Sequence, residues 1–190
     1  ENLKIKPQYD GFIFLVESRR NPPMLAKHKH RELELNLVMK GSVTYVISGR
    51  TYTFPQGSLL WLFPNQVHQL VDRTSDASYY VAVFKPSLIR RACSGERYQD
   101  LKTPSVKDGR VLRKVLQPSS FSLLQRVMDS LMENSLDLDL LNRESGFGLN
   151  SDFYYEYKDP DMLNAGLQYL LIQCWRMYLH EEDLELTPKL

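Results

Sequence analysis

The chain has 190 residues and a mass of 22.2 kDa, the size of one domain or of one domain with an appendage. Hydrophobic residues make up 43% and charged residues 25%, and 24 basic side chains face 23 acidic ones, which excludes wholesale disorder and argues against a clustered basic face for holding nucleic acid. No apolar run approaches the roughly 18 residues of a membrane span, and two distant cysteines, Cys93 and Cys174, exclude a disulfide scaffold or cysteine-based zinc site and fit a reducing cytoplasm.

Residues 1–9 read as a lysine-rich, mobile arm. From residue 10 the pattern is strands: 11–16, 33–39, 42–47, 51–54, 59–63, 66–71 and 78–84, rich in Tyr, Val, Ile, Thr and Phe. Lys40-Gly41 and Ser48-Gly49-Arg50 are hairpin-type links. Seven short strands with frequent turns and no intervening helix predict an antiparallel sandwich or barrel. A short helix follows at 86–92, then a strand or loop around 106–115. After Gln117 the period changes, and Leu123, Leu124, Val127, Met128, Leu131 and Met132 recur at helical spacing behind Pro118-Ser119-Ser120. Residues 142–158, with two glycines and an aromatic cluster, read as loop. A second helix starts near Asp159-Pro160 and runs to about His180, with Leu163, Leu167, Leu170, Leu171, Cys174, Trp175, Tyr178 and Leu179 on its apolar face. The division expected is an arm (1–9), a barrel with its extension (10–116), a helical segment (117–183) and the start of a linker (184–190). The fold class is α+β, mainly β.

The densest chemical signal is His28-Lys29-His30-Arg31-Glu32-Leu33-Glu34. His28, His30 and Glu34 share one parity and converge on one face of an extended strand, while Leu33, Leu35 and Leu37 take the other. Two imidazoles and a carboxylate suit a divalent transition metal and leave positions open for water or a ligand. The same triplet also fits a charged surface strand beside Lys27, Lys29 and Arg31. His68, on a later strand, is a fourth candidate, and Asn36 extends the polar face. Tyr45, Trp61 and Tyr80 are candidates for an apolar floor on which a sugar ring stacks, or for plain core filling.

The spacing His28-x-His30-x3-Glu34-x6-Gly41 resembles the first cupin motif. The second motif lies on Gly57 and His68, with Phe63, Asn65 and Asp72 where cupins carry Pro, Gly and Asn. Pro22 stands where a glycine precedes the first histidine. Every position that supplies a metal ligand in cupins is filled. The resemblance therefore implies an antiparallel jelly-roll barrel, with His28, His30, Glu34 and His68 as ligands of a divalent metal (Zn, Ni, Fe or Mn).

Glu34-Leu35-Asn36-Leu37-Val38, Gly49-Arg50-Thr51-Tyr52 and Pro64-Asn65-Gln66-Val67-His68 narrow the resemblance to the N-terminal domain of AraC-type transcription regulators. That implies a cytoplasmic, non-catalytic sensor. A small-molecule effector, often a sugar, binds inside the barrel through His28, His30, Glu34, Asn36, Tyr45, Trp61, His68 and Tyr80. Part of the helical segment forms a homodimer, with the helix that makes it left open, and DNA is reached only through a further helix-turn-helix domain for which this chain has no counterpart. No membrane role is implied. The alternative is a metal-dependent cupin enzyme (dioxygenase, isomerase or decarboxylase) using His28, His30, Glu34 and His68.

Overall fold

Alternating β-branched and aromatic residues, punctuated by turn residues, produce eight strands among the described residues, packed around one core. The computed structural model describes residues 2–20, 26–104, 109–135 and 157–185. Seven strands come first: β1 (Gly11–Glu17), β2 (Leu33–Lys40), β3 (Ser42–Ile47), β4 (Arg50–Pro55), β5 (Ser58–Leu62), β6 (His68–Arg73) and β7 (Ser78–Phe84). Then follow α1 (Pro86–Ala92), two single 3-10 turns, β8 (Leu112–Val115), α2 (Pro118–Ser135) and α3 (Pro160–His180). The antiparallel, mainly β class with a helical segment is as expected, and each strand falls within two residues of its expected bounds. The uncertain stretch 106–115 contains the edge strand β8, with residues 105–108 outside the described set. The expected loop over 142–158 also lies outside it except for Tyr157 and Lys158.

The strands form two antiparallel sheets, one of five strands in the order β1-β7-β2-β5-β8 and one of three in the order β4-β3-β6. The β3–β4 hairpin closes with Ser48 and Gly49 both at positive φ (50° and 84°) between the paired residues Ile47 and Arg50, the two-residue turn whose twist matches that of the strands. The larger sheet is covered on both faces, so β2 is buried almost end to end. Its Leu35 face, continued by Trp61 and Ala82 in register, packs on α2 and α3. Its Glu34 face looks across to the smaller sheet, where His68, Leu70, Tyr45 and Ile47 point inward.

Helix α3 begins where Asp159 accepts a hydrogen bond from the Met162 amide (3.0 Å) and Pro160 presets the first turn. Its buried residues are Leu163, Leu167, Leu170, Leu171, Cys174, Trp175 and Met177. Leu179, expected on that face, is 40% exposed. The arm, expected to be mobile, is tied down: Asn164 accepts from the Asp10 amide and donates to the Gln8 carbonyl, and the Tyr9 hydroxyl accepts from the Tyr157 amide. At the other end Leu184, expected as linker, donates its amide to the Val115 carbonyl, and residues 186–190 lie outside the described set.

Candidate functional site

The histidine segment ahead of β2 is brought against the start of β6 by a single antiparallel bridge. The His28 amide donates to the His68 carbonyl (3.0 Å) and the His68 amide returns the bond to His28 (2.9 Å). The bridge places a histidine that is 40 residues away in sequence over the first two. One ligand nitrogen from each of His28, His30 and His68 lies within 4.8 Å of the others. His30 and His68 are buried and His28 is half-buried.

The orientation of the three rings is set by the backbone. The Nδ1 of His28 lies 2.9 Å from the Ala26 carbonyl, that of His30 3.1 Å from Glu32, and that of His68 2.9 Å from Gln66. A carbonyl only accepts, so each Nδ1 carries the proton and each Nε2 is left for another partner. The His68 Nε2 is buried with no hydrogen-bond partner, although the Glu34 carboxylate approaches to 3.7 Å. A buried acceptor left open is costly unless something occupies it. Such second-atom bonding to carbonyls is also how metal-binding imidazoles are held.

Glu34 closes the site from below. Its Oε2 lies 3.0 Å from the His30 Nε2, and its Oε1 accepts from the Asn36 amide at 2.9 Å. Burial alone would raise this carboxyl. The hydrogen bond from His30, the nearby imidazoles and the Asn36 amide outweigh burial and hold it at about 2. His30 is the counterpart: burial disfavours its charge, but the Glu34 hydrogen bond and the charges of Glu34 and Glu32 raise it above its ordinary value. His68 goes the other way, lowered to about 4 chiefly by burial. The site thus favours a proton on His30 facing an ionised Glu34, beside a His68 whose neutral form is favoured. The three imidazole nitrogens could hold a divalent first-row metal, which would use the open His68 nitrogen, with Glu34 beside the triad.

Among the other expected site residues, Asn36 and Tyr45 are buried on the interior face, and Tyr45 lies within electrostatic reach of Glu34. Trp61 and Tyr80 require correction. Both fall on the Leu35 face of the large sheet and turn away from the barrel interior toward the helices. Trp61 packs edge-on against Trp175 (centroids 5.2 Å apart), and the Tyr80 hydroxyl donates to Asp129 of α2. The reason is register: Trp61 pairs with Leu35 and Tyr80 with Leu37, both of which face away from Glu34.

Two interior residues escape a reading by parity. Tyr79 pairs with Val38 on the Glu34 face, is buried, and is pushed up to about 12 by that burial, partly offset by the Arg73 charge and hydrogen bond. Arg73 reaches the same face because the β3–β6 ladder slips by one residue: Tyr45 pairs with Leu70, but Thr44 pairs with Asp72 and Val43 with Arg73. The irregularity turns Arg73 inward, where its Nη2 also reaches the Ser18 carbonyl at 3.5 Å. A cavity of about 300 Å³ lies at this end of β6, lined by Ser18, Leu70 and Arg73 among others.

A family model described as the AraC-like ligand binding domain matches residues 14–149, most of the chain. The chain belongs to this family. Among solved structures, ToxT from Vibrio cholerae is similar at 12% identity and a TM-score of 0.49, over 92% of this chain and 61% of that one. A second ToxT structure, with an unsaturated fatty acid bound, aligns at 12% identity and a TM-score of 0.46, over 88% of this chain and 55% of that one. The EutQ protein of Clostridium difficile aligns at 16% identity and a TM-score of 0.31, over 38% of this chain and 54% of its own. The chain therefore spans about three-fifths of the ToxT chains it resembles. No curated protein sequence matches it. Among the described residues no helix is long and apolar enough to cross a membrane.

Proposed function

We propose that this domain is a cytoplasmic effector sensor. It binds a small oxygen-rich molecule of the sugar kind inside the barrel, with a divalent metal held by His28, His30, His68 and Glu34. The convergence of three imidazole nitrogens, each freed by a backbone carbonyl on its other nitrogen, carries this reading. The ion would act as a Lewis acid that accepts an effector oxygen. The protein's own contribution is orientation and selectivity. Asn36 steadies Glu34, and Arg73, Tyr79 and Tyr45 line the interior toward the cavity at the end of β6. Family membership supports a ligand-binding role over catalysis.

Signalling would run through a second copy of the chain and a DNA-binding domain beyond it. On α3 the residues Met162, Ala165, Tyr169, Ile172, Arg176 and Leu179 follow alternating steps of three and four, the spacing of a helix-pairing seam. Met162, Tyr169 and Leu179 are 48%, 52% and 40% exposed. In an antiparallel pair about a two-fold axis Met162 meets Leu179 of the second copy and Tyr169 meets Ile172, so the stripe is self-complementary. The opposite side of α3 packs on the large sheet through Trp175 and Leu167, which gives effector binding a direct route to the interface. That route works only if the effector binds two arrangements unequally.

The test is zinc dialysis with metal analysis, then titration with a panel of monosaccharides and mass analysis of the recovered sugar. The expected result is one ion per chain, lost in His68→Ala and His30→Ala, and a sugar that binds and returns unchanged. Zinc content unaffected by both substitutions would remove the metal reading. Chemical conversion of the sugar would replace the sensor with a metal-dependent enzyme.

A further inference from the structure

Helix α3 stops at Glu181, whose backbone turns extended (φ −88°, ψ 151°), and residues 181–185 then run against strand β8. Glu181, Asp183 and Glu185 share one parity, so an extended segment aims all three carboxylates to one side. What they meet is the corner between β8 and α2. Glu181 accepts from the Ser120 hydroxyl in the first turn of α2, where the helix dipole also favours negative charge. Asp183 accepts from the Val115 amide at 3.0 Å, and Glu185 pairs with Arg113. The even residues, Glu182 and Leu184, are exposed.

Three consecutive residues of β8 hold the segment. Arg113 takes Glu185, and its guanidinium also lies 5.8 Å over the Phe54 ring of β4. Lys114 donates to the Tyr178 and Glu181 carbonyls and so closes the end of α3, with its ammonium 5.0 Å over the Tyr178 ring. Val115 turns both backbone groups outward, its amide to Asp183 and its carbonyl to the Leu184 amide (3.2 Å). Strand β8 ends the larger sheet and pairs with β5 on its inner edge, so residues 181–185 cover an edge that would otherwise lie open. The cover is made of side-chain charge and one backbone bond rather than of buried apolar surface. Attachments of that kind are individually weak. The last turns of α3, by contrast, are anchored in the core through Cys174, Trp175 and Met177.

We infer that residues 181–185 form a detachable strap, which comes away from β8 as a unit while the barrel and α3 stay folded. Fastened, the strap fixes the chain beside the larger sheet. Released, it bares the β8 edge and lets the chain beyond Glu185 move away from the domain. No residue of the histidine site takes part, so the strap stands independently of the metal and effector reading. Its use as a switch for a DNA-binding domain rests on the signalling route proposed above.

Amide hydrogen exchange, followed residue by residue in the whole chain, tests the inference with the Asp183→Ala, Glu185→Gln double variant. Leu184 is the decisive amide, because its acceptor, the Val115 carbonyl, is untouched by either substitution. Its exchange should rise at least about threefold, and about tenfold if the loss equals one hydrogen bond to a charged group. Amides of β5 and of Leu170 and Leu171 in α3 should stay within a factor of about two of wild type, with the thermal midpoint unchanged. Arg113→Gln leaves the strap's own sequence intact and should speed Leu184 in the same way, which gives a second reading if the double variant folds poorly. Exchange at Leu184 raised by less than about threefold in both proteins would overturn the inference. So would a rise shared equally by β5 and α3, since the segment would then open only with the whole domain.

Discussion

Replacing Glu34 with Gln keeps the shape of the buried side chain and removes only its charge. That charge is the partner of His30 at 3.0 Å and sits within 3.7 Å of His68. A carboxyl held at about 2 instead of its ordinary 4.5 favours the folded state by roughly 3 kcal/mol at pH values above 4.5. The contribution is present above the unfolded value and is lost as pH falls from 4.5 toward 2. His30 behaves oppositely: its folded value is raised, so its contribution is complete below 6.5 and fades as pH rises through the folded value. The gap between wild type and Glu34→Gln should therefore be widest near pH 5–6, close at pH 2, and narrow again in alkali. Urea unfolding in the presence of a chelator, followed by the emission of the buried Trp61 and Trp175, measures it at each pH. A variant within about 0.5 kcal/mol of wild type at pH 6 would refute the reasoning, since the buried pair would then contribute nothing net.

Four further outcomes follow from other parts of the molecule. Tyr79 is raised to about 12, so its stabilising effect is complete below pH 10 and is lost between pH 10 and 12; Tyr79→Phe should flatten that alkaline limb by roughly 2 kcal/mol in unfolding titrations. Trp61→Ala should cost about 3–5 kcal/mol of stability through lost packing on Trp175 yet leave zinc affinity unchanged; the reverse pattern would return Trp61 to the barrel interior. A methyl group at Gly11 would lie 1.8 Å from the Val83 carbonyl oxygen, so Gly11→Ala must part β1 from β7 and should lose about 2 kcal/mol or more by thermal unfolding. Tyr169→Glu places a charge in the centre of the α3 stripe at a 52% exposed position, so sedimentation should show a monomer with an unchanged thermal midpoint. A dimer of wild-type affinity would move the interface elsewhere.

Much of the architecture was legible because it is local. Alternation of apolar residues and two-residue turns specify strands one at a time, and all seven expected strands form where those signals lie. The shared parity of His28, His30 and Glu34 belongs to the same class of information. So does the start of α3, where Asp159 and Pro160 act within one turn. What tertiary structure decided is which face of each strand became the interior. Trp61 and Tyr80 have the composition of a pocket floor, but pairing with Leu35 and Leu37 turns them to the helices. Arg73 has the wrong parity for the site until the slip in the β3–β6 ladder reverses it. His68 meets the other two histidines only because one backbone bridge joins residues 28 and 68. A sequence specifies short-range geometry residue by residue, whereas register and sheet packing depend on the free energy of the whole core and so appear only once the chain has closed on itself.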